Sequence, residues 1–146
     1  MKSFEQQAAF IIKDMKKKLE NLNEAEKKYV VACVSEIERT AKTLMRDTVT
    51  NPNVTYHRKH RPHHPSVEGN PPAVDYGTLR RSVTHTIGEE NGKPYALVGT
   101  DLDYGRCLEF GTSKMKPRPW LSLATIKCAD FMRQAREQIL GKAIKG

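Results

Sequence analysis

The chain has few of the features that mark secreted, membrane-spanning or disulfide-bonded proteins. No uninterrupted apolar run approaches the roughly 20 residues that a membrane-spanning helix needs. Residues 1–19 carry Lys and Glu where a secretory signal has a solid apolar stretch. The three cysteines are an odd number without a CxxC spacing. We therefore expect reduced thiols in a cytosolic setting, and neither membrane insertion nor export.

Signatures of the common enzyme classes are also missing. The sequence contains no P-loop, no dinucleotide-binding glycine fingerprint, and no HExxH, GxSxG or kinase motif. No Cys and His stand at the sequence positions that signal a thiol protease. The sequence therefore predicts a protein that is not an enzyme, with no catalytic residues and no cofactor.

Length and charge narrow the class of protein further. With 146 residues and 16.6 kDa the chain has the size of one domain, so we expect a single domain over residues 1–146. The net charge is +8, to which residues 111–146 contribute +6 and residues 75–110 contribute −2. Such a charge favours a polyanionic partner, because Lys and Arg release condensed counterions from phosphates. Aromatic residues make up only 7%, however, whereas nucleic-acid binders often add exposed aromatic side chains.

Hydrophobic periodicity predicts a helical region over residues 1–50. Apolar residues recur at spacings of three and four over residues 4–22 and again over residues 29–45, which predicts two amphipathic helices. Asn23 followed by Glu26 resembles a capping box at the start of the second helix. Neither Gly nor Pro interrupts residues 1–50, so one continuous helix is the alternative.

A long loop and a hairpin are expected next. Residues 51–74 contain five of the eight prolines and four of the five histidines, a composition with little to bury. Asp75 is expected to cap a short turn. The alternating residues 82–87 and the returning residues 95–100 then predict an antiparallel hairpin around Asn91-Gly92.

Two further helices are predicted at the C-terminal end. Residues 101–110 read as a short helix with Leu102, Cys107 and Leu108 facing inward, ended by Gly111 in a left-handed conformation. Pro119 suits the first turn of a long amphipathic helix over residues 119–140. The expected fold is α+β, with two N-terminal helices and a long C-terminal helix packed on a small antiparallel sheet that contains the hairpin.

The histidines of the loop are the obvious candidate metal ligands. They are His57, His60, His63 and His64. Cations that would repel a divalent ion stand among them, namely Arg58, Lys59 and Arg61. A metal-dependent nuclease would add carboxylates, but Asp75, Asp101 and Asp103 lack any recognisable nuclease spacing. We therefore expect no metal site.

An alternative function from another class is a nucleic-acid-binding module. It would use the basic loop together with the basic region at residues 111–146. The candidate residues for anion contact are His57, Arg58, Lys59, His60 and Arg61.

Two ordered motifs lie in the second half of the chain. The first is SVEGNPPAVDYGTLRRS at residues 66–82, and the second is LEFGTSKM at residues 108–115 followed by RPWL at residues 118–121. Together they resemble a recurrent segment and the "LEFGTS…RPFL" block of the tail-component family of long-tailed bacteriophages and prophages, also called tail-completion or head-tail joining proteins. The resemblance covers roughly residues 66–135.

Two positions depart from the family pattern. Tyr76 stands where Thr is usual before the Gly, and Trp120 replaces the usual Phe. The histidine-rich segment before Ser66 is not part of the resemblance.

The resemblance implies a structural virion protein at the head-proximal end of a phage tail. Such a protein is made in the bacterial cytoplasm, associates with copies of itself in a cyclic ring, and completes the tail so that it can join the head. The implied partners are the tail tube and the head-tail connector proteins, with possible non-specific contact to genomic DNA and none to a membrane.

The motifs themselves suggest which residues contact other subunits and which shape turns and helix ends. Candidate interface residues are Arg80, Arg81, Glu109, Phe110, Lys114, Lys116, Arg118 and Trp120. Candidate turn and cap residues are Asp75, Gly77, Gly111 and Pro119. For individual positions a purely structural role is the alternative, with Trp120 as an ordinary core residue.

Overall fold

The computed structural model describes residues 3–146, apart from the side chain of Phe4. Its helices are α1 (Phe4–Arg46), α2 (Thr78–Ser82), α3 (Asp103–Phe110), α4 (Leu121–Lys127) and α5 (Ala129–Lys145). Its strands are β1 (Tyr56–His57), β2 (Pro62–His63), β3 (Thr84–Glu90) and β4 (Lys93–Gly99). The predicted α+β class is confirmed. None of the helices in this part of the chain has the length and apolar character to cross a membrane.

The N-terminal region is one continuous helix and not two. α1 has 43 residues, which corresponds to about 65 Å. It begins with a capping box, in which the Ser3 Oγ accepts a hydrogen bond from the Gln6 backbone N–H at 3.3 Å. The predicted division at Asn23 is wrong, because a second helix start would leave a set of backbone N–H and C=O groups unpaired. An Asn inside a helix costs much less, about 0.7 kcal/mol relative to Ala.

The core lies where the second half of α1 meets α2 and α4. Its buried members are Ala41, Met45, Leu79, Val83, Trp120 and Ala124. α5 continues the contact along α1, and Ala135 is buried there. The small residues Ala41 and Ala124 let the helices approach closely beside the one large indole of the core.

The hairpin prediction is confirmed, with slightly longer strands. β3 pairs antiparallel with β4, from Thr84 opposite Gly99 to Glu90 opposite Lys93. Asn91 and Gly92 both have positive φ, at 51° and 75°, as a two-residue type I′ turn requires. One face of the hairpin packs on α1, with which β3 and β4 both make contact.

Residues 51–74 contain more regular structure than predicted. β1 and β2 form a short antiparallel ribbon, with Tyr56 opposite His63. A further bridge joins Thr50 to Ser66, so the segment leaves the body and returns to nearly the same place. The Tyr56 and His63 rings stack, with centroids 6.5 Å apart.

The predicted long C-terminal helix is broken. α4 ends at Lys127 and α5 starts at Ala129, with Cys128 between them at ψ −2°. Cys128 is buried and its thiol donates a hydrogen bond to the Thr40 hydroxyl of α1 at 3.3 Å. Both segments contact α1, so the break lets the chain follow the surface of that helix.

Two local predictions near these helices are corrected. Pro119 is not in the first helical turn, because α4 begins at Leu121 with Trp120 as its N-cap residue. Cys107 is exposed, whereas Leu102 and Leu108 pack against the core as predicted. The buried Gly105 occupies the inner side of α3, which leaves Cys107 on the outer side.

Candidate functional site

The two sequence motifs meet in space beside α2 and α3. Between them lies a cavity of about 440 Å³, which we call the junction cavity. Its apolar lining includes Met45, Leu79, Leu108 and Met115. Its polar lining includes Tyr56, Arg58, His63, Asp75, Tyr76, Arg80, Tyr104 and Arg118. The charged side chains at this junction attach residues 51–74 to the rest of the protein.

Arg118 ties the loop to the second motif. Its Nη1 donates hydrogen bonds to the backbone carbonyl of Ser66 and to the Ser66 hydroxyl, the latter at 2.6 Å. The Arg118 backbone N–H donates to the Leu108 carbonyl at 2.6 Å, and the Gly69 N–H donates to the Pro117 carbonyl at 3.3 Å. Ser66 is buried. Arg118, predicted as an interface residue, is thus engaged inside the protomer.

Glu109 caps the helix that follows it in the chain. One carboxylate oxygen accepts the backbone N–H groups of Trp120 and Leu121 at 2.8 and 2.9 Å, and the other accepts that of Ser122 at 3.0 Å. Burial acts to raise the pKa of Glu109. The hydrogen bonds from the Ser122 side chain and from the three backbone N–H groups outweigh it, so the pKa lies below its ordinary value. An ionised carboxylate at this position also complements the dipole of α4.

Trp120 is a core residue. Its side chain is 2% exposed and its indole N–H donates to the Gly105 carbonyl at 3.0 Å. A Cβ atom at Gly105 would lie 2.5 Å from the Thr100 side chain, so only Gly fits this buried turn of α3. Trp120 therefore holds α3 against α4, and its side chain is not presented to a partner.

Asp75 does not cap a helix, which corrects the prediction. The N-cap residue of α2 is Gly77, with φ 76°, and no side chain caps that helix. The Asp75 carboxylate instead lies 3.0 Å from Arg58 Nε, 3.6 Å from Arg61 Nη2 and 3.8 Å from His63 Nδ1. Burial lowers the pKa of His63, although Asp75 opposes that effect. Two of the three loop cations predicted to contact an anion are thus already paired with a carboxylate.

The other predicted site residues differ in their burial and in their contacts. Arg80 is half-buried, with its Nε buried and lacking a hydrogen-bond partner within the described chain. Lys116 pairs with Glu68 at 2.9 Å, and Phe110 is 73% exposed. The other predicted positions with exposed side chains are Arg81, Lys114, His57, Lys59 and His60.

The two motif glycines have the positive φ that their predicted roles require. Gly77 adopts the left-handed conformation. Gly111 ends α3 with φ 75° but ψ 178°, so the predicted left-handed cap is replaced by an extended conformation that is essentially restricted to Gly. A Cβ atom at Gly111 would lie 2.8 Å from the Met115 carbonyl oxygen, because residues 112–115 fold back as a tight turn.

The sequence predicts an apolar side of α1, but it does not predict that this side is exposed. Residues 5–22 of α1, which we call the arm, carry a stripe of Ala8, Ile11, Ile12, Met15, Leu19 and Leu22. Ile11, Ile12, Met15 and Leu19 are 54 to 63% exposed. The buried residues of α1 begin only at Ala25. The amphipathic pattern showed which side of the helix is apolar, but it contains no signal for what covers that side.

Neither a search for metal-binding clusters nor comparison with known proteins adds an assignment for this site. Among residues 3–146, His, Cys, Asp and Glu form no group of three that could hold a metal ion. Comparison of the chain with protein-family models, curated proteins and solved structures finds no match.

Proposed function

We propose that this chain is a non-enzymatic structural protein of a phage or prophage tail. It associates with copies of itself in a cyclic ring, completes the head-proximal end of the tail and takes part in head-tail joining. Its partners are other copies, the tail tube and the head-tail connector proteins. It is made in the bacterial cytoplasm and ends in the virion.

The observation that carries this proposal is the exposed apolar stripe of the arm. A contiguous apolar patch on the surface of a protein marks an interaction site, because burial of that patch in a partner is favourable. Most helical stability in proteins comes from packing of an amphipathic face rather than from intrinsic propensity. Contact with a partner would therefore both bury the stripe and hold the arm helical.

The junction supports a geometric role more than a chemical one. Arg118 holds the loop to the second motif, and Glu109 and Trp120 fix α3 and α4 relative to each other. Asp75 is occupied by the arginines of the loop. These contacts make the part of the chain that resembles the tail-component family into a firm body from which the arm projects.

Sedimentation and electron microscopy test the proposal. We expect the purified protein to form a defined oligomer at assembly concentrations, and to bind one end of tails that were made without it. Phages that lack the protein should yield heads and tails that remain separate. A protein that stays monomeric both alone and with tails would refute the proposal, and so would infectious, joined particles formed in its absence.

A further inference from the structure

We propose that the junction cavity binds a carboxylate carried on an apolar body, and that Arg80 pairs with this carboxylate. The ligand is a small organic acid or an acidic side chain on a segment of another protein, which share this chemistry. The volume of about 440 Å³ falls within the range of about 300–1,000 Å³ that is typical of ligand sites. The inference goes beyond the proposed function, because it holds whether or not the chain forms a ring.

Arg80 is the arginine of the cavity that has no partner in the described part of the chain. Its side chain is half-buried, and its buried Nε forms no hydrogen bond there. The other two arginines that line the cavity are engaged. Arg58 pairs with Asp75 at 3.0 Å, and Arg118 donates a hydrogen bond to the Ser66 hydroxyl at 2.6 Å. A half-buried charge that has lost hydration without gaining a partner is stabilised by an anion beside it.

Asp47 does not supply that anion. Its carboxylate is exposed and accepts hydrogen bonds from Arg46 at 2.6 and 2.8 Å. These hydrogen bonds are the largest cause of the lowered pKa of Asp47, and the charge of Arg80 is the smallest contribution. Among the described residues, Arg80 forms an ion pair with neither Asp47 nor Asp75. The cavity is therefore a place where an external anion can pair with Arg80.

The charges of the lining favour an anion with a single negative charge. Three arginines and one carboxylate, that of Asp75, line the cavity. Burial lowers the pKa of His63, so this ring adds no positive charge at pH 7. A phosphate group carries about −1.5 to −2 at pH 7, and Asp75 would repel it more strongly than a carboxylate. A carboxylate also matches the planar guanidinium of Arg80, to which it can bind through two parallel hydrogen bonds.

The rest of the lining suits an apolar body. The apolar walls include the side chains of Met45, Leu79, Leu108 and Met115. Three tyrosines that are 45 to 53% exposed also line the cavity, and they are Tyr56, Tyr76 and Tyr104. Because these tyrosines are exposed, the cavity reaches the protein surface and a ligand can enter from solvent. Apolar walls with a few polar groups that fix orientation are the usual composition of a ligand site.

Nuclear magnetic resonance of the full chain tests the proposal with 3-phenylpropionate as the probe. The acid should shift the Arg80 Nε–H resonance saturably. It should bind at least about 10-fold more tightly than 3-phenylpropionamide, which has the same shape without the charge. Absence of the resonance in Arg80→Gln assigns it to Arg80.

Two substitutions that change the charge equally separate the cavity from the general surface. Arg80→Gln should weaken binding of the acid at least about 10-fold. Arg106→Gln is the matched control, because Arg106 is exposed on α3 and does not line the cavity; its affinity should stay within about 2-fold of wild type. Circular dichroism checks folding, and Arg80→Lys replaces Arg80→Gln if that variant does not fold, since Lys lacks the paired N–H geometry.

A peptide arm distinguishes the two sources of the carboxylate. If acetyl-Leu-Asp-Phe-amide binds more tightly than 3-phenylpropionate and its Asn counterpart does not, the site takes a protein segment. If 3-phenylpropionate binds more tightly, the site takes a small acid. Either result supports the carboxylate site.

Four results would overturn the inference. They are an Arg80 resonance that neither acid shifts, neutral analogues that bind as tightly as the acids, a folded Arg80 variant with wild-type affinity, and inorganic phosphate that binds in the cavity more tightly than the acids. None of these results bears on assembly, which sedimentation tests separately.

Discussion

Removal of the Glu109 carboxylate should destabilise the junction by about 3 kcal/mol. Three backbone N–H groups at the start of α4 donate to this carboxylate. Hydrogen bonds to a charged group contribute about 1.5–3 kcal/mol each and do not add fully, while loss of a helix cap costs about 1 kcal/mol. At about 2–4 °C per kcal/mol for a chain of this size, Glu109→Ala should lower the melting temperature by roughly 10 °C.

The effect should also depend on pH. Because the pKa of Glu109 is depressed in the folded protein, its contribution is fully present above the ordinary pKa of about 4.3 and is lost as the pH falls through the lower folded value. Glu109→Gln, which removes the charge, should therefore be less stable than wild type at pH 7. The difference should shrink below about pH 4.

Chemical unfolding in urea at several pH values measures both effects. The control is Glu137→Ala, on the exposed surface of α5, which should change the free energy of unfolding by less than about 0.5 kcal/mol. If Glu109→Ala is as stable as that control at pH 7, then the carboxylate does not hold α4. If the free energy of unfolding differs between Glu109→Gln and wild type by the same amount at pH 3 and pH 7, the ionised carboxylate is not the source of the stabilisation.

Three further predictions concern single positions. Gly111→Ala should destabilise the protein by at least about 2 kcal/mol in thermal unfolding, because its Cβ would approach Met115 O to 2.8 Å at a positive φ; a neutral effect would contradict the tight turn. Trp120→Phe should cost about 1–3 kcal/mol, because the buried Gly105 carbonyl loses the indole donor, and equal stability would show that the hydrogen bond is unimportant. A thiol reagent should label the exposed Cys107 rapidly in the folded protein and the two buried cysteines only after unfolding, as mass spectrometry after digestion would show.

The parts of the fold that follow from local chemistry were predictable. Asn91-Gly92 determines a hairpin turn because both residues tolerate positive φ, and the alternating residues around it form β3 and β4. The apolar spacing in residues 4–45 gave the helical region, and the absence of Gly and Pro left the continuous helix as an alternative. The broken C-terminal helix was not predictable, because Cys128 turns where it meets Thr40, 88 positions earlier in the chain.

The site was predictable only in its choice of residues. Asp75 and Glu109 were both recognised, but their roles depend on contacts between distant segments. Asp75 pairs with Arg58 of the loop, and Glu109 caps a helix that starts 12 positions later. Local patterns favour a cap for Asp75 because they hold no information about how residues 51–74 fold back. Arg118 and Trp120 were selected as interface residues, and the structure places their polar contacts inside the protomer.

Because α1 is one uninterrupted helix, the number of residues between the arm and the core determines the direction in which the stripe faces. One residue inserted just before Ala25 would turn the stripe by about 100° and advance it by about 1.5 Å, and it would move Asn21 and Glu24 in their groove beside α5. Seven inserted residues would return the stripe nearly to its first bearing, two turns further out. The direction in which the stripe meets any partner is therefore set by the number of residues between Leu22 and the core.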